Sequence, residues 1–135
     1  MLGESRFPTI TFQIPSPDGT AYVQILENPS GGIYRIIFQL GKAASSVNAW
    51  ADALARMVTT SLNNGVDINT VLDELSNITT GKSVWVSGDM YCRSGPEALY
   101  IALLRYRNEN LLAELSDTSE PTPRPPKLFP VRGWR

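Results

Sequence analysis

The chain has 135 residues, a formal net charge of −1, no histidine and one cysteine. A single domain is expected at this length. This composition excludes a serine–histidine or cysteine–histidine nucleophile pair and an intramolecular disulfide, and it argues against a structural zinc site within one chain. Residues 1–115 hold 8 basic and 11 acidic side chains, so they lack the basic excess that is typical of nucleic-acid binding. A general nucleic-acid partner is therefore not expected, with a local basic patch as the alternative.

Three strands are predicted at the start of the chain. Apolar and polar residues alternate over 9–14, 21–26 and 33–40, which is the period of a half-buried strand. Turn sequences rich in proline, glycine, aspartate and asparagine separate the three segments. The short turns predict an antiparallel meander. In the third strand, Tyr34, Ile36, Phe38 and Leu40 are expected to share one face.

The pattern then becomes helical. Apolar residues recur every three or four positions over 46–63 and 67–77. Ser45 or Ser46 is suited to cap the first of these helices, and Asp67 the second. Gly65 is suited to the left-handed residue that ends the first helix.

A third helix is predicted over 95–112. The sequence Ser-Gly-Pro-Glu at 94–97 fits a capping box. In a capping box the Ser94 hydroxyl accepts from the backbone N–H of Glu97, and the Glu97 side chain accepts from the backbone N–H of Ser94. Leu99, Ala102, Leu103 and Tyr106 are expected on its apolar face. The segment before it, at 84–86, is predicted as a short strand or an extended loop. Together these elements predict an α+β fold, a three-stranded antiparallel meander packed against two or three helices.

The composition changes at Ser116. From Ser116 to Arg135 the chain is rich in proline, with basic and aromatic residues at its end. This composition favours an extended chain. We therefore divide the sequence into a domain at 1–115 and a tail at 116–135, and we expect the tail to dock onto another surface, a protein partner included. A flexible tail is the alternative.

Four short motifs lie in a distinctive order: Gly-Lys at 41–42, Ala-Leu-Ala-Arg at 53–56, Gly-Val at 65–66 and Ser-Gly-Pro-Glu at 94–97. In this order the chain resembles the TSCPD domain, an accessory domain at the C-terminal end of adenosylcobalamin-dependent ribonucleotide reductases that also occurs in small free-standing proteins. The resemblance runs from about Phe7 to Tyr106. It implies the fold and a loose association with nucleotide metabolism.

The sequence departs from that family at its naming motif. Gly95 stands where the motif has cysteine, and Glu97 where it has aspartate. The segment at 79–82 lacks cysteine as well. Thiol or metal chemistry in the family is therefore not carried over, and no cofactor is expected.

Two groups of residues are candidates for a ligand site. Lys42, Ser45 and Ser46 precede a predicted helix, whose free N–H groups and dipole attract anions. Arg93 precedes another and could hold a phosphate with two parallel hydrogen bonds, while Trp85 or Tyr91 could stack on a base. The alternatives are an ordinary capped turn and a surface loop with an aromatic side chain tucked into the core. Arg105 and Arg107 are expected on a solvated face, with a subunit contact as the alternative.

These observations predict a non-catalytic binding or regulatory protein for a nucleotide-like anionic ligand. It could serve a ribonucleotide-reductase system or sequester a nucleotide messenger, as some small viral proteins do. The alternative is a protein-interaction adaptor that uses its tail and binds no small ligand. We also expect a homo-oligomer, because a three-stranded sheet leaves edges that need cover. A cytoplasmic protein without a membrane partner is expected, since no apolar run approaches the ~20 residues of a membrane span and no signal-peptide pattern is seen.

Overall fold

The computed structural model describes residues 8–42 and 44–117 and has an α+β fold. Its elements in chain order are β1 (Thr9–Ile14), β2 (Ala21–Glu27), β3 (Ile33–Leu40), α1 (Ser46–Asn63), α2 (Ile68–Leu75), β4 (Val84–Ser87), β5 (Met90–Cys92) and α3 (Gly95–Asp117). The predicted meander and helices are confirmed. The segment expected to be a strand or a loop is β4, which pairs with β5 in a separate two-stranded antiparallel sheet.

The meander has the strand order β1-β2-β3, with both pairs antiparallel. One face is buried, and its side chains form part of the core: Phe12, Ile14, Ala21, Val23, Ile25, Ile36, Phe38 and Leu40. Tyr34 was predicted on that face and is exposed instead. Leu26 pairs with Arg35 whereas Glu27 pairs with Ile33, so Tyr34 is the extra residue of a β-bulge. A bulge redirects the side chain that it inserts.

Helix α1 runs along the outer edge of β3 and bonds to its backbone. Asn48 Oδ1 accepts from Leu40 N at 2.9 Å, and Asn63 Nδ2 donates to Tyr34 O at 3.2 Å. Thr59 Oγ1 accepts from Ile36 N at 3.0 Å and donates to Ala55 O at 2.7 Å. A sheet edge is otherwise a template for pairing with another chain. The polar residues of α1 therefore close this edge of the meander.

We expect Thr59→Val to lower the free energy of unfolding by about 1–2 kcal/mol, because the Ile36 N–H then faces a methyl group in place of its acceptor. Thr60→Val is the matched control, since Thr60 is the next residue of α1, is exposed, and offers the same change in shape. Urea unfolding of both variants gives the comparison. Equal midpoints would show that the edge hydrogen bond contributes nothing.

Helix α3 is the centre of the core. Its first turns are buried on every side, since Ala98, Leu99, Ile101, Ala102, Leu103 and Leu104 are all at most 2% exposed. The sequence predicted only one apolar face for this helix. It is enclosed because β1 and β2 pack on one side while α2 and β5 contact others. The helix continues to Asp117, beyond the predicted end at Leu112.

The ends of the first two helices follow local capping chemistry. Ser45 Oγ accepts from Asn48 N at 3.1 Å, and Asp67 Oδ1 accepts from Asn69 N at 2.9 Å, so both predicted caps are confirmed. Gly65 has a φ of 96°, the left-handed conformation predicted for the end of α1. Helix α2 stops at Leu75, earlier than predicted, because the next residue is extended and Asn77 is left-handed with a φ of 63°.

Candidate functional site

The first group of candidate residues lies in the loop between β3 and α1. Ser45 caps the helix and Ser46 is its first residue, while Lys42 is exposed two residues after β3. Gly41 and Ala44 have φ angles of 71° and 64°. These left-handed residues turn the chain sharply between β3 and α1. The exposed Lys42 lies in this turn, three residues before Ser45. This arrangement suits an anion at the first N–H groups of the helix.

A tight turn after β1 joins this loop to the start of α3. Gly19 N donates to Ser16 O at 3.0 Å, and Ser16 Oγ donates to Gly19 O at 2.6 Å. From this turn, Asp18 Oδ2 accepts from Gly95 N at 3.2 Å. A carboxylate of the chain itself therefore takes the position that an anion would take at the start of α3. The sequence analysis missed Asp18, because the Asp-Gly pair was interpreted only as turn chemistry.

Gly95 has no room for a Cβ atom unless its neighbours shift. A Cβ atom built at this position would lie 2.6 Å from Leu40 Cδ2 and 2.9 Å from Asp18 Oδ2. Trp50 would be 3.6 Å away. These neighbours give a steric reason for glycine at the position where the TSCPD naming motif has cysteine.

The capping box at the start of α3 differs in one bond from its predicted form. Ser94 Oγ accepts from Glu97 N at 3.0 Å, as expected. Glu97 reaches back one residue further than predicted, and its Oε1 accepts from Arg93 N at 2.8 Å. Ser94 Oγ donates to Ile78 O, at 2.6 Å, and so ties the helix start to the segment after α2.

The Arg93 guanidinium is held by the same glutamate. Nε donates to Glu97 Oε1 at 3.0 Å and Nη2 donates to Glu97 Oε2 at 2.6 Å. Nη2 also reaches Asn77 Oδ1 at 3.3 Å. The hydrogen bonds to Glu97 raise the pKa of Arg93. Within the described part of the chain Nη1 has no acceptor, so this nitrogen is left to meet a ligand.

The two candidate aromatic residues form a cross-strand pair. Trp85 in β4 is the register partner of Tyr91 in β5. Directly opposed residues of an antiparallel pair project from the same face, and these side chains are 58% and 52% exposed. Trp85 Nε1 donates to Gly88 O at 2.9 Å, which fixes the indole against its own turn. Neither aromatic residue is tucked into the core, which was the alternative interpretation.

The structure thus places the candidates in two groups. Lys42, Ser45 and Ser46 lie by the turn at 16–19, which also contacts the start of α3. Trp85 and Tyr91 lie on the hairpin of β4 and β5, and Arg93 follows that hairpin by one residue while pointing to Glu97 and Asn77. Ser45 caps α1 and Ser94 caps α3, and at the start of α3 Asp18 of the chain itself accepts from the Gly95 N–H.

Cys92 belongs to the core. It is fully buried, and its Sγ donates to Ser94 O at 3.1 Å. Burial raises the pKa of its thiol to about 11, so it stays protonated at neutral pH and is a poor nucleophile. Within residues 8–42 and 44–117, no cluster of acidic and cysteine side chains could hold a metal ion. None of the helices in these ranges has the length and apolar character to cross a membrane.

Comparison with known proteins gives one match. The model of the TSCPD domain family matches residues 4–107. No curated protein matches the chain, and no solved structure does. The match spans the meander, both capped helices and the buried turns of α3, but not the tail.

Proposed function

Because the chain belongs to the TSCPD domain family, we propose that it is a non-catalytic binding or regulatory protein for a nucleotide-like anionic ligand in the cytoplasm. The TSCPD domain is an accessory domain linked to ribonucleotide reductases and is not itself catalytic. On the basis of that link, we propose that the protein acts in a ribonucleotide-reductase system. Sequestration of a nucleotide messenger needs only the same binding chemistry, and it is the second role that we propose for this site.

The exposed pair of Trp85 and Tyr91 carries this proposal. Each ring leaves more than half of its surface in water, so it adds little to the stability of the fold. Aromatic faces stack on bases with about 1–3 kcal/mol per base and with little regard to base identity. Two such rings on one face of a short hairpin are suited to hold a planar heterocycle.

Cationic groups suited to a phosphate lie at both candidate positions. Arg93 is oriented by Glu97 and keeps Nη1 for a ligand, so little side-chain freedom remains to be lost when it binds. Lys42 and the start of α1 provide a second anion position. We propose that Arg93 acts with the aromatic pair, and that Lys42, Ser45 and Ser46 hold a further anionic group of the same ligand.

We expect calorimetry with mono-, di- and cyclic nucleotides to detect binding, and Trp85→Ala to weaken it roughly tenfold through loss of stacking. Lys42→Ala should weaken it roughly ten- to a hundredfold, the effect of losing a charge-assisted contact. Met57→Ala is the matched control, because Met57 is also an exposed apolar side chain but lies on α1 away from the candidate residues. If the unmutated protein binds none of the nucleotides at millimolar concentration, the proposal fails.

We also propose a homo-oligomer, with a dimer as its simplest form. Helix α1 closes the edge of β3, whereas no strand in the described ranges pairs with the outer edge of β1. A second copy could add its own β1 there, antiparallel about a two-fold axis. Light scattering at micromolar concentration should give twice the mass of one chain. A monomer at that concentration would refute this proposal.

One observation favours the adaptor as a second candidate. Leu112 and Leu115 are exposed on the last turns of α3, directly before the tail, and exposed apolar groups are suited to a protein contact. The predicted docking of the tail lies outside the described residues. If the adaptor proposal is right, removal of residues 121–135 should change the elution volume or the melting temperature while nucleotides leave both unchanged.

A further inference from the structure

A cleft separate from both candidate groups lies where four elements meet: the turn between β2 and β3, the end of α1, the start of α2 and the middle of α3. Its volume is about 490 Å³, larger than the two grooves along α1 and β3, of about 370 and 240 Å³. Small-molecule sites commonly measure about 300–1,000 Å³. The cleft is therefore large enough for a mononucleotide.

Its lining divides into an apolar part and a polar part. The apolar part consists of Ile33, Leu62, Ile68 and Leu111. The polar part consists of three asparagines and an arginine, namely Asn28, Asn63, Asn110 and Arg107. A mostly apolar surface with a few converging polar groups is the usual composition of a ligand pocket.

Arg107 differs from two other arginines of the chain in what holds it. Arg56 is paired with Asp52, and Arg93 with Glu97. Arg107 is held instead by neutral amide oxygens: Nη1 donates to Asn69 Oδ1 at 2.7 Å and Nη2 to Asn108 Oδ1 at 3.1 Å. Amide oxygens orient the guanidinium without neutralising it. Arg107 therefore lines the cleft with a guanidinium whose hydrogen-bond acceptors are neutral, where the sequence predicted a solvated face or a subunit contact.

A buried tyrosine lies in the lining beside the polar part. Tyr106 donates from its hydroxyl to Glu27 Oε2 at 2.6 Å. Burial, together with the bond to Glu27, raises the pKa of Tyr106 to about 12, so the hydroxyl stays protonated and keeps its bond to Glu27. The Glu27 carboxylate is held by this bond and does not line the cleft.

We propose that this cleft is a binding site for a nucleoside monophosphate, with the phosphate at Arg107, the base over the apolar part and the asparagine amides along the base edge. Arginine binds phosphate with strong charge-assisted hydrogen bonds. Asparagine offers a donor and an acceptor side by side, which matches the edge of an adenine. The inference goes beyond the proposed function, because it keeps the same class of ligand but assigns it to a second site, in a part of the fold away from Trp85, Tyr91 and Arg93.

The test is an NMR titration of the full-length, ¹⁵N-labelled protein with AMP to millimolar concentration. The side-chain amide signals of Asn28, Asn63 and Asn110 report on the cleft, and the indole N–H signal of Trp85 reports on the hairpin. If AMP binds in the cleft, the three amide signals shift together and the Trp85 signal does not. Adenosine and inorganic phosphate, titrated separately, should each bind more weakly than AMP.

Arg107→Gln should weaken AMP binding roughly ten- to a hundredfold, the effect of losing a charge-assisted contact. Arg105→Gln is the matched control, since Arg105 lies two residues away on α3 and bonds to Ser87; it should leave the affinity unchanged. A shift of the Trp85 signal alone would refute the proposed site in the cleft and support the site at the hairpin. The absence of a shift at all four signals would refute both sites. Should Arg107→Gln fail to fold, the amide signals of the unmutated protein decide the question.

Discussion

Glu97→Ala is expected to lower the free energy of unfolding by about 2 kcal/mol, within the range for loss of hydrogen bonds to a charged group. The Glu97 side chain is only 4% exposed, while that of Arg93 is 42% exposed. The substitution removes the acceptor of the Arg93 backbone N–H and of Nε, and one of the two acceptors of Nη2, which keeps Asn77 Oδ1. It also removes an acidic group from the first turn of α3, where the helix dipole favours one.

A second arginine pair in the same chain gives a matched control. Asp52 and Arg56 are also four residues apart on a helix, at 3.0 Å, but their side chains are 48% and 68% exposed. Asp52→Ala should therefore cost less than about 1 kcal/mol. Chemical denaturation of both variants measures the difference. If both variants lose the same free energy of unfolding, the burial of Glu97 does not strengthen its ion pair with Arg93.

Gly95→Cys, which restores the residue of the TSCPD naming motif, is expected to destabilise the protein by about 3 kcal/mol, the upper part of the usual range for overpacking. The new Cβ would lie 2.6 Å from Leu40 Cδ2 and 2.9 Å from Asp18 Oδ2. Leu40 is fully buried in the core, so it has little room to move away. The hydrogen bond from Gly95 N to Asp18 would be strained by the same displacement.

The control for this substitution is Ser46→Cys. Ser46 is the first residue of α1, as Gly95 is of α3, but its side chain is exposed, so the change should stay within about 0.5 kcal/mol. In the background of Leu40→Ala, Gly95→Cys should cost less, because the clashing methyl is gone; the two substitutions should therefore be non-additive. Additive costs in thermal melts would contradict a direct clash between these two positions.

The strands were predictable because their side chains alternate and their turns are short, and both signals are local. Two of the three meander strands, Thr9–Ile14 and Ile33–Leu40, have the predicted bounds. The bulge that exposes Tyr34 was not predictable, because it depends on how β3 pairs with β2. The enclosure of α3 likewise depends on elements that come from distant parts of the chain.

The candidate residues show a similar division. Ser45 and Ser94 cap helices as predicted, since capping involves neighbours in sequence. Asp18 and Gly95, however, are bonded across 77 positions, and no periodicity signals such a contact. Arg93 was identified from its place before a helix, but its pairing with Glu97 depends on the burial of that glutamate. The cleft at Arg107 was not predicted from the sequence, because asparagine is an ordinary residue of turns and helix ends.

The central position of α3 also has a consequence for synthesis of the chain. The meander leaves the ribosome first, yet its apolar face packs on a helix that begins at Gly95, more than fifty residues after β3 ends at Leu40. Domains generally fold as units, and apolar surface exposed before completion promotes aggregation. Contacts between such distant residues also slow folding. The apolar face of the nascent sheet therefore stays uncovered until α3 has left the ribosome and can pack on it.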